Sequence, residues 1–201
     1  MNRRGHFLEC SHFEPYDEER VADSLPVVIY LHGNCSSRLE ALACVPILLP
    51  ANITLFTMDL SGSGLSEGEF ISLGWYERDD VELVVEFLRA SQRASTIGLW
   101  GRSMGAVTSL LHGDRDPSIG GMVLDSPFTN LKSLSQELSR MHTKIPKWVG
   151  NMGISILKRT IKKKAGFDIT NLSPIDHVDR CFIPAFFAAA CDDSFILPHH
   201  A

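Results

Sequence analysis

No apolar run in the sequence approaches the roughly 20 residues that a membrane-spanning helix needs, so no span is expected. The opening Met-Asn-Arg-Arg-Gly-His also lacks the apolar segment of a signal peptide, and a cytoplasmic protein is expected. Cysteine is sparse. Cys10, Cys35, Cys44, Cys181 and Cys191 form an odd set without a C-x-x-C pair, so reduced thiols are expected, with no disulfide framework and no metal site. Positive charge is not in excess either: a formal net charge of −5 offers nothing to a polyanion, and nucleic acid is not an expected partner. Internal repeats and low-complexity tracts are missing as well.

What is present is an alternation of two signals over a length of 201 residues, which suits one domain. Pro26 to Leu31, Ile53 to Met58, Ser95 to Trp100, Gly121 to Leu124 and Phe182 to Ala188 are short apolar runs without strict alternation. Strands of a parallel sheet covered on both faces look like this. Between them, Arg38 to Leu49 and Glu77 to Leu88 have helical spacing, the second with Val81, Val84, Val85 and Leu88 on one stripe. Right-handed crossovers then place helices on both faces of a mostly parallel α/β sheet. Gly5 to Phe13 alternates more loosely and predicts an antiparallel edge strand. Residues 129–165 break the rhythm: Leu131, Leu134, Leu138 and Met141 mark one amphipathic helix, and Ile154, Leu157 and Ile161 another. They read as a small helical cap inserted into a core of residues 1–128 and 166–201.

Chemistry concentrates at Gly101-Arg-Ser-Met-Gly105. A G-x-S-x-G match alone is weak, since on the order of one random chain in fifteen of this length contains it. Its context is more specific: a strand precedes it and the helix-compatible Ala106 to Leu111 follows, the setting in which a serine sits exposed on a sharp turn. Ser103 is therefore the candidate nucleophile. Upstream, the strand ending at Leu31 runs into His32-Gly-Asn-Cys-Ser36, a turn placed to offer a backbone N–H. Asn34 and Met104 are the expected oxyanion donors, and His32 reads as a structural turn residue. The acid of a triad should follow the nucleophile in the chain. Asp193, just past the apolar run 182–190, is the favoured candidate; Asp125, at the end of Gly121 to Leu124, competes with it, or else caps its own turn by accepting the amides of Ser126 to Phe128.

A serine hydroxyl needs a base, and no histidine stands where one is expected. His112 lies nine residues past Ser103, about 13 Å along a helix. His142 and His177 fall in the cap and the connection after it. His199 and His200 read as the start of a helix, or as a solvated chain end. The catalytic histidine is thus not identified in the chain.

At these residues the sequence resembles the α/β-hydrolase superfamily, and within it the serine aminopeptidase-like and depalmitoylase-like hydrolases. Tyr30-Leu-His-Gly-Asn34 resembles the oxyanion segment, Asp59-Leu-Ser-Gly-Ser-Gly-Leu-Ser66 a Gly-rich turn after a strand, and Gly101 to Gly105 the nucleophile elbow. Asp125-Ser-Pro-Phe128 and Asp192-Asp-Ser-Phe-Ile196 also have counterparts, all in the family's order. The resemblance implies an eight-stranded central sheet and hydrolysis of an ester, thioester or amide in a small-molecule or acylated-protein substrate, without a cofactor. It also implies a further strand, a histidine-bearing loop and a closing helix, so a truncated product is expected.

Three readings follow. The first is a serine hydrolase acting through an acyl-enzyme on Ser103. The second is an inactive hydrolase-fold protein that acts, if at all, as a binding module. The third, a dinucleotide loop at Gly62 to Gly68, is disfavoured because its G-x-G-x-x-x-G spacing is one residue too long and no helix opens there. The basic run Lys158, Arg159, Lys162, Lys163 and Lys164 suggests weak contact with an anionic membrane surface, against the plainer alternative of a solvated helix end.

Overall fold

The apolar runs become strands because each can be buried from both sides. The computed structural model describes residues 1–142 and 147–201, with side chains described except at 140–152 and 154, so the side chains of Met141, His142 and Ile154 lie outside the described residues. Strands β1 (Cys10–Phe13), β2 (Leu25–Leu31), β3 (Thr54–Met58), β4 (Ala94–Arg102), β5 (Gly121–Asp125) and β6 (Ala185–Ala188) form one sheet in the order β1-β3-β2-β4-β5-β6. The edge strand β1 runs antiparallel to β3 and every other pair is parallel.

The sheet has six strands among the described residues, where the resemblance implies eight. Residues 14–24 supply one reason. They carry Pro15 and the acidic run Asp17–Glu19, residue types that strands disfavour, and Asp17–Glu19 forms a 3₁₀ turn.

Alternation along β2 divides the core. Val27, Ile29 and Leu31 point to one face, where they pack with Val81, Val84, Val85 and Leu88 of α2 (Glu77–Ala90), the stripe that its spacing predicts. Tyr30 points to the other face and packs with Ala41, Cys44, Leu48 and Leu55. The helix expected over 38–49 is tighter than an α-helix at its start: Arg38–Cys44 is 3₁₀, and only α1 (Val45–Leu48) is α-helical.

Helix α3 (Met104–Gly113) is buried along its whole length beneath the sheet. Helices α4 (Leu131–His142) and α5 (Lys147–Ala165) lie between β5 and β6, followed by the short α6 (Ile175–Val178). Leu131 and Leu134 of α4 join Val107, Leu111, Phe128, Phe167, Leu172 and Ile196 in a second core. Strand β6 is the sheet's other edge, and Phe182, Phe186 and Phe187 around it are 87%, 66% and 42% exposed.

Candidate active site

Strand β4 ends at Arg102 and α3 starts at Met104, so one residue carries the whole reversal of direction. That residue is Ser103, with φ 51° and ψ −111°, a left-handed conformation that costs a non-glycine residue on the order of 1–3 kcal/mol. Its neighbours explain why it can be held there. A Cβ at Gly101 would lie 2.2 Å from the Gly105 carbonyl oxygen, and one at Gly105 would lie 1.9 Å from the Leu31 carbonyl oxygen. The turn closes only because both positions lack side chains. The Ser103 amide donates to the Asp125 carbonyl at 2.7 Å, which ties the turn to the end of β5. Since α3 begins at Met104, its first amides have no partner within the helix and its positive end faces the serine.

The turn after β2 abuts this serine. A Cβ at Gly33 would stand 3.9 Å from the Ser103 Cβ. The Gly33 amide donates to the Glu40 carboxylate at 3.4 Å, so it is turned to Glu40 and away from the serine's turn. His32 is fully buried and structural, as expected. Its Nδ1 lies 2.7 Å from the Gly33 carbonyl and its Nε2 accepts the Leu60 amide at 3.1 Å, which places its proton on Nδ1.

The Gly-rich turn at 59–66 holds this arrangement from behind. The buried Asp59 carboxylate accepts the Arg38 amide at 2.6 Å and the Leu65 amide at 2.8 Å, and pairs with the Arg38 guanidinium at 2.5 Å. Burial alone would raise this carboxyl, but the two amides and the Arg38 charge overturn it and hold the group below its ordinary value. Gly64 winds over the carboxylate with φ 54°, where a Cβ would stand 2.2 Å from an Asp59 oxygen. No helix opens from this turn, the feature that a dinucleotide loop requires.

Both candidate acids reach the carboxyl end of the sheet, because β4, β5 and β6 are parallel. The turn-capping contact that the sequence offered as the alternative for Asp125 is made instead by Asp193. Asp125 caps no amides: its carboxylate accepts the Ser126 hydroxyl at 2.9 Å and lies 3.9 Å from Arg102. Asp193 is the turn-capping carboxylate, taking the Phe195 and Ile196 amides at 2.8 and 2.9 Å through one oxygen. Ile196 packs in the same core as Val107 of α3, which seats the Asp193 turn on the helix that Ser103 opens.

Among the described residues no histidine is hydrogen-bonded to Ser103. His112 is 1% exposed in the middle of α3's far end, and His177 lies 2.6 Å from Asp114. The reading of His199 and His200 as a solvated end is corrected for His200, which is 5% exposed in the 3₁₀ turn Pro198–His200 and lies 2.9 Å from Glu137. Packing against α4 excludes the water that a chain end would normally keep.

Sequence reasoning missed one polar group at the site's rim. Glu40 accepts the Tyr30 hydroxyl at 2.9 Å and lies 3.6 Å from Arg102, which also approaches Asp125. Burial would raise the Glu40 carboxyl, but hydrogen bonds from Ser36, Tyr30 and Gly33 hold it below its ordinary value. A tyrosine in the otherwise aliphatic run Pro26 to Leu31 was the available signal. In the basic run, Lys158 and Lys162 pair with Asp168 at 3.2 and 3.7 Å, so two of its five cations are already engaged within the chain.

Residues 22–170 match the family described as serine aminopeptidase, S33, a group of hydrolases. The chain belongs to this family. Its architecture is that of the α/β-hydrolase fold. The uncharacterized protein YqkD of Bacillus subtilis is 27% identical over 195 residues, covering 96% of this chain and 61% of that protein. Lysophosphatidylserine lipase ABHD12 of Xenopus tropicalis is 28% identical over 121 residues, which cover 57% of this chain and 31% of that one. The chain thus spans between about a third and three-fifths of these relatives' lengths. Among solved structures, the Pyrococcus furiosus esterase Pf2001 superposes with a TM-score of 0.68 at 22% identity, over 88% of this chain and 66% of that chain. The acetyl xylan esterase of Paenibacillus sp. R4 superposes with a TM-score of 0.73 at 15% identity, over 99% of this chain and 69% of that chain. These two likenesses concern the fold. No helix among the described residues is long and apolar enough to cross a membrane.

Proposed function

We propose that the protein is a serine hydrolase whose nucleophile is Ser103. The carrying observation is the left-handed Ser103 held between β4 and α3, with the Gly33-Asn34 turn packed against it. In the first step the Ser103 oxygen bonds to a carbonyl carbon and the leaving group departs with a proton, leaving an acyl-enzyme. In the second step water cleaves that ester and regenerates the serine. The amides of Asn34 and Met104 stabilise the intermediate oxyanion, a contribution of roughly 3–4 kcal/mol per donor in a typical site. Asp193 is the proposed acid: two amides fix one of its oxygens, whereas the Asp125 carboxylate is engaged by Ser126.

The substrate class is a carboxylic ester or thioester, with an amide as the more demanding alternative, and no cofactor is required by this chemistry. The lipase and esterase among the similar proteins support the ester. Incubation with a fluorophosphonate probe tests the proposal. Labelling of the folded chain that vanishes in Ser103→Ala supports it, and equal labelling of the two proteins overturns it.

One observation favours a second reading: the described histidines whose contacts are known all face other partners. A hydrolase-fold binding protein would retain Ser103 without labelling it. Turnover of a p-nitrophenyl ester by the wild-type chain, absent in Ser103→Ala, rules that reading out.

A further inference from the structure

Glu137, His199 and His200 come together from two segments more than 60 positions apart. Glu137 lies on α4, and the histidines lie in the turn Pro198–His200. The Glu137 carboxylate stands 3.3 Å from His199 Nε2 through one oxygen and 2.9 Å from His200 Nε2 through the other. One donor atom from each residue can be chosen so that all three lie within 4.8 Å of one another. A zinc ion with bonds of about 2.0–2.1 Å to nitrogen and oxygen sets donors about 3.3 Å apart in a tetrahedron. Through one oxygen or the other, the carboxylate already stands near that length from each imidazole.

We propose that these three residues form a site for a divalent transition-metal ion of the zinc class. Two imidazoles and a carboxylate are a donor set that suits Zn²⁺, Co²⁺ and Ni²⁺ better than Mg²⁺ or Ca²⁺, which prefer oxygen alone. The surroundings fit as well. His200 has a side chain 1% exposed, and its other ring nitrogen, Nδ1, lies 2.9 Å from the Thr129 hydroxyl. With the metal on Nε2, the proton sits on Nδ1 and is donated to that hydroxyl, the kind of outer hydrogen bond that orients metal-bound histidines. The longer contact, 3.3 Å from the Thr129 amide to the same nitrogen, is given up in this tautomer. His199 is 58% exposed on the other side, which leaves water free to complete the coordination.

The rings of His199 and His200 are stacked, with centroids 4.4 Å apart and planes inclined by 28°, so both Nε2 atoms face the same carboxylate without a change in the backbone. Bound metal would pin the 198–200 turn to α4. The site is independent of the chemistry proposed for Ser103, and its test uses no substrate.

Co²⁺ and Zn²⁺ added to the apo chain at pH 7.5 provide that test. One equivalent of Co²⁺ should give the intense visible d–d bands of a low-symmetry site, and Zn²⁺ should displace it and raise the melting temperature. His199→Ala, at an exposed position, should weaken Zn²⁺ binding at least tenfold while leaving the melting temperature of the apo protein unchanged. Glu137→Gln should do the same to binding. The free thiols Cys10, Cys35 and Cys191 are exposed competitors. A near-ultraviolet thiolate charge-transfer band, or binding that disappears when these three are changed to Ser, overturns the proposal. So does the absence of saturable binding, or Zn²⁺ affinity unchanged in His199→Ala.

Discussion

The amide of Ser103 points sideways to the carbonyl oxygen of Asp125, 2.7 Å away on the neighbouring strand. That hydrogen bond consumes the serine's own N–H and holds the elbow to β5. Met104, one residue on, is the first residue of α3, and its amide is the second oxyanion donor proposed above. The bond also resists relaxation of a backbone conformation that serine does not favour.

Relief of that strain can be read from two substitutions. Ser103→Ala and Ser103→Gly should both abolish fluorophosphonate labelling, but only glycine tolerates φ 51° with ψ −111° at no cost. Urea unfolding should find Ser103→Gly more stable than Ser103→Ala by on the order of 1 kcal/mol. Equal midpoints for the two would remove the argument for strain.

Crowding at the elbow predicts the opposite outcome two residues away. Gly105→Ala places a methyl group 1.9 Å from the Leu31 carbonyl oxygen, and backbone cannot yield as a side chain can. The variant should lose roughly 3 kcal/mol or more of stability, or fail to fold. Circular dichroism and urea titration check this, and a wild-type melting profile would count against the packing described.

The oxyanion assignment rests on a backbone group, so the side chain of Asn34 should be dispensable. Asn34→Ala should retain ester turnover within a few fold. Asn34→Pro, which has no N–H, should lower kcat by about 10²–10³-fold. Comparable rates for the two variants would place the donor elsewhere.

Acid stability is expected to depend on His112. Burial pushes its pKa below the ordinary histidine value, with Asp116 opposing in part, and both ring nitrogens are buried without a hydrogen-bond partner. The unfolded chain takes up this proton near pH 6.5 and the folded chain only at lower pH. The stabilising contribution is therefore whole above pH 6.5 and declines as pH falls through the interval between the two values. Melting temperature measured from pH 8 to pH 5 should fall less steeply for His112→Leu than for the wild type.

The elements most legible in the sequence were those whose signal is local. The stripe Val81, Val84, Val85 and Leu88 needs only the helical period, and the strand-turn-helix at Ser103 needs only contiguous residues. The start of the 38–49 segment reads as α-helix because a run this short does not separate a period of 3.0 from one of 3.6 residues, and Pro46 at the head of α1 was the clue. The eight-strand expectation came from resemblance, which carried no information about the acidic segment 14–24. Long-range relations were invisible. Nothing in the spacing of Glu137, His199 and His200 announces that they meet, and the exchange of capping roles between Asp125 and Asp193 is decided by turns whose geometry lies in the backbone.

Among the described residues strand β6 pairs with β5 on one side only, and Phe186 on it is 66% exposed. Two molecules that join β6 to β6 do so about a two-fold axis, each filling the other's open ladder. Such a pair leaves no β6 edge for a third molecule, so association along this strand closes at the dimer and does not propagate as a fibre.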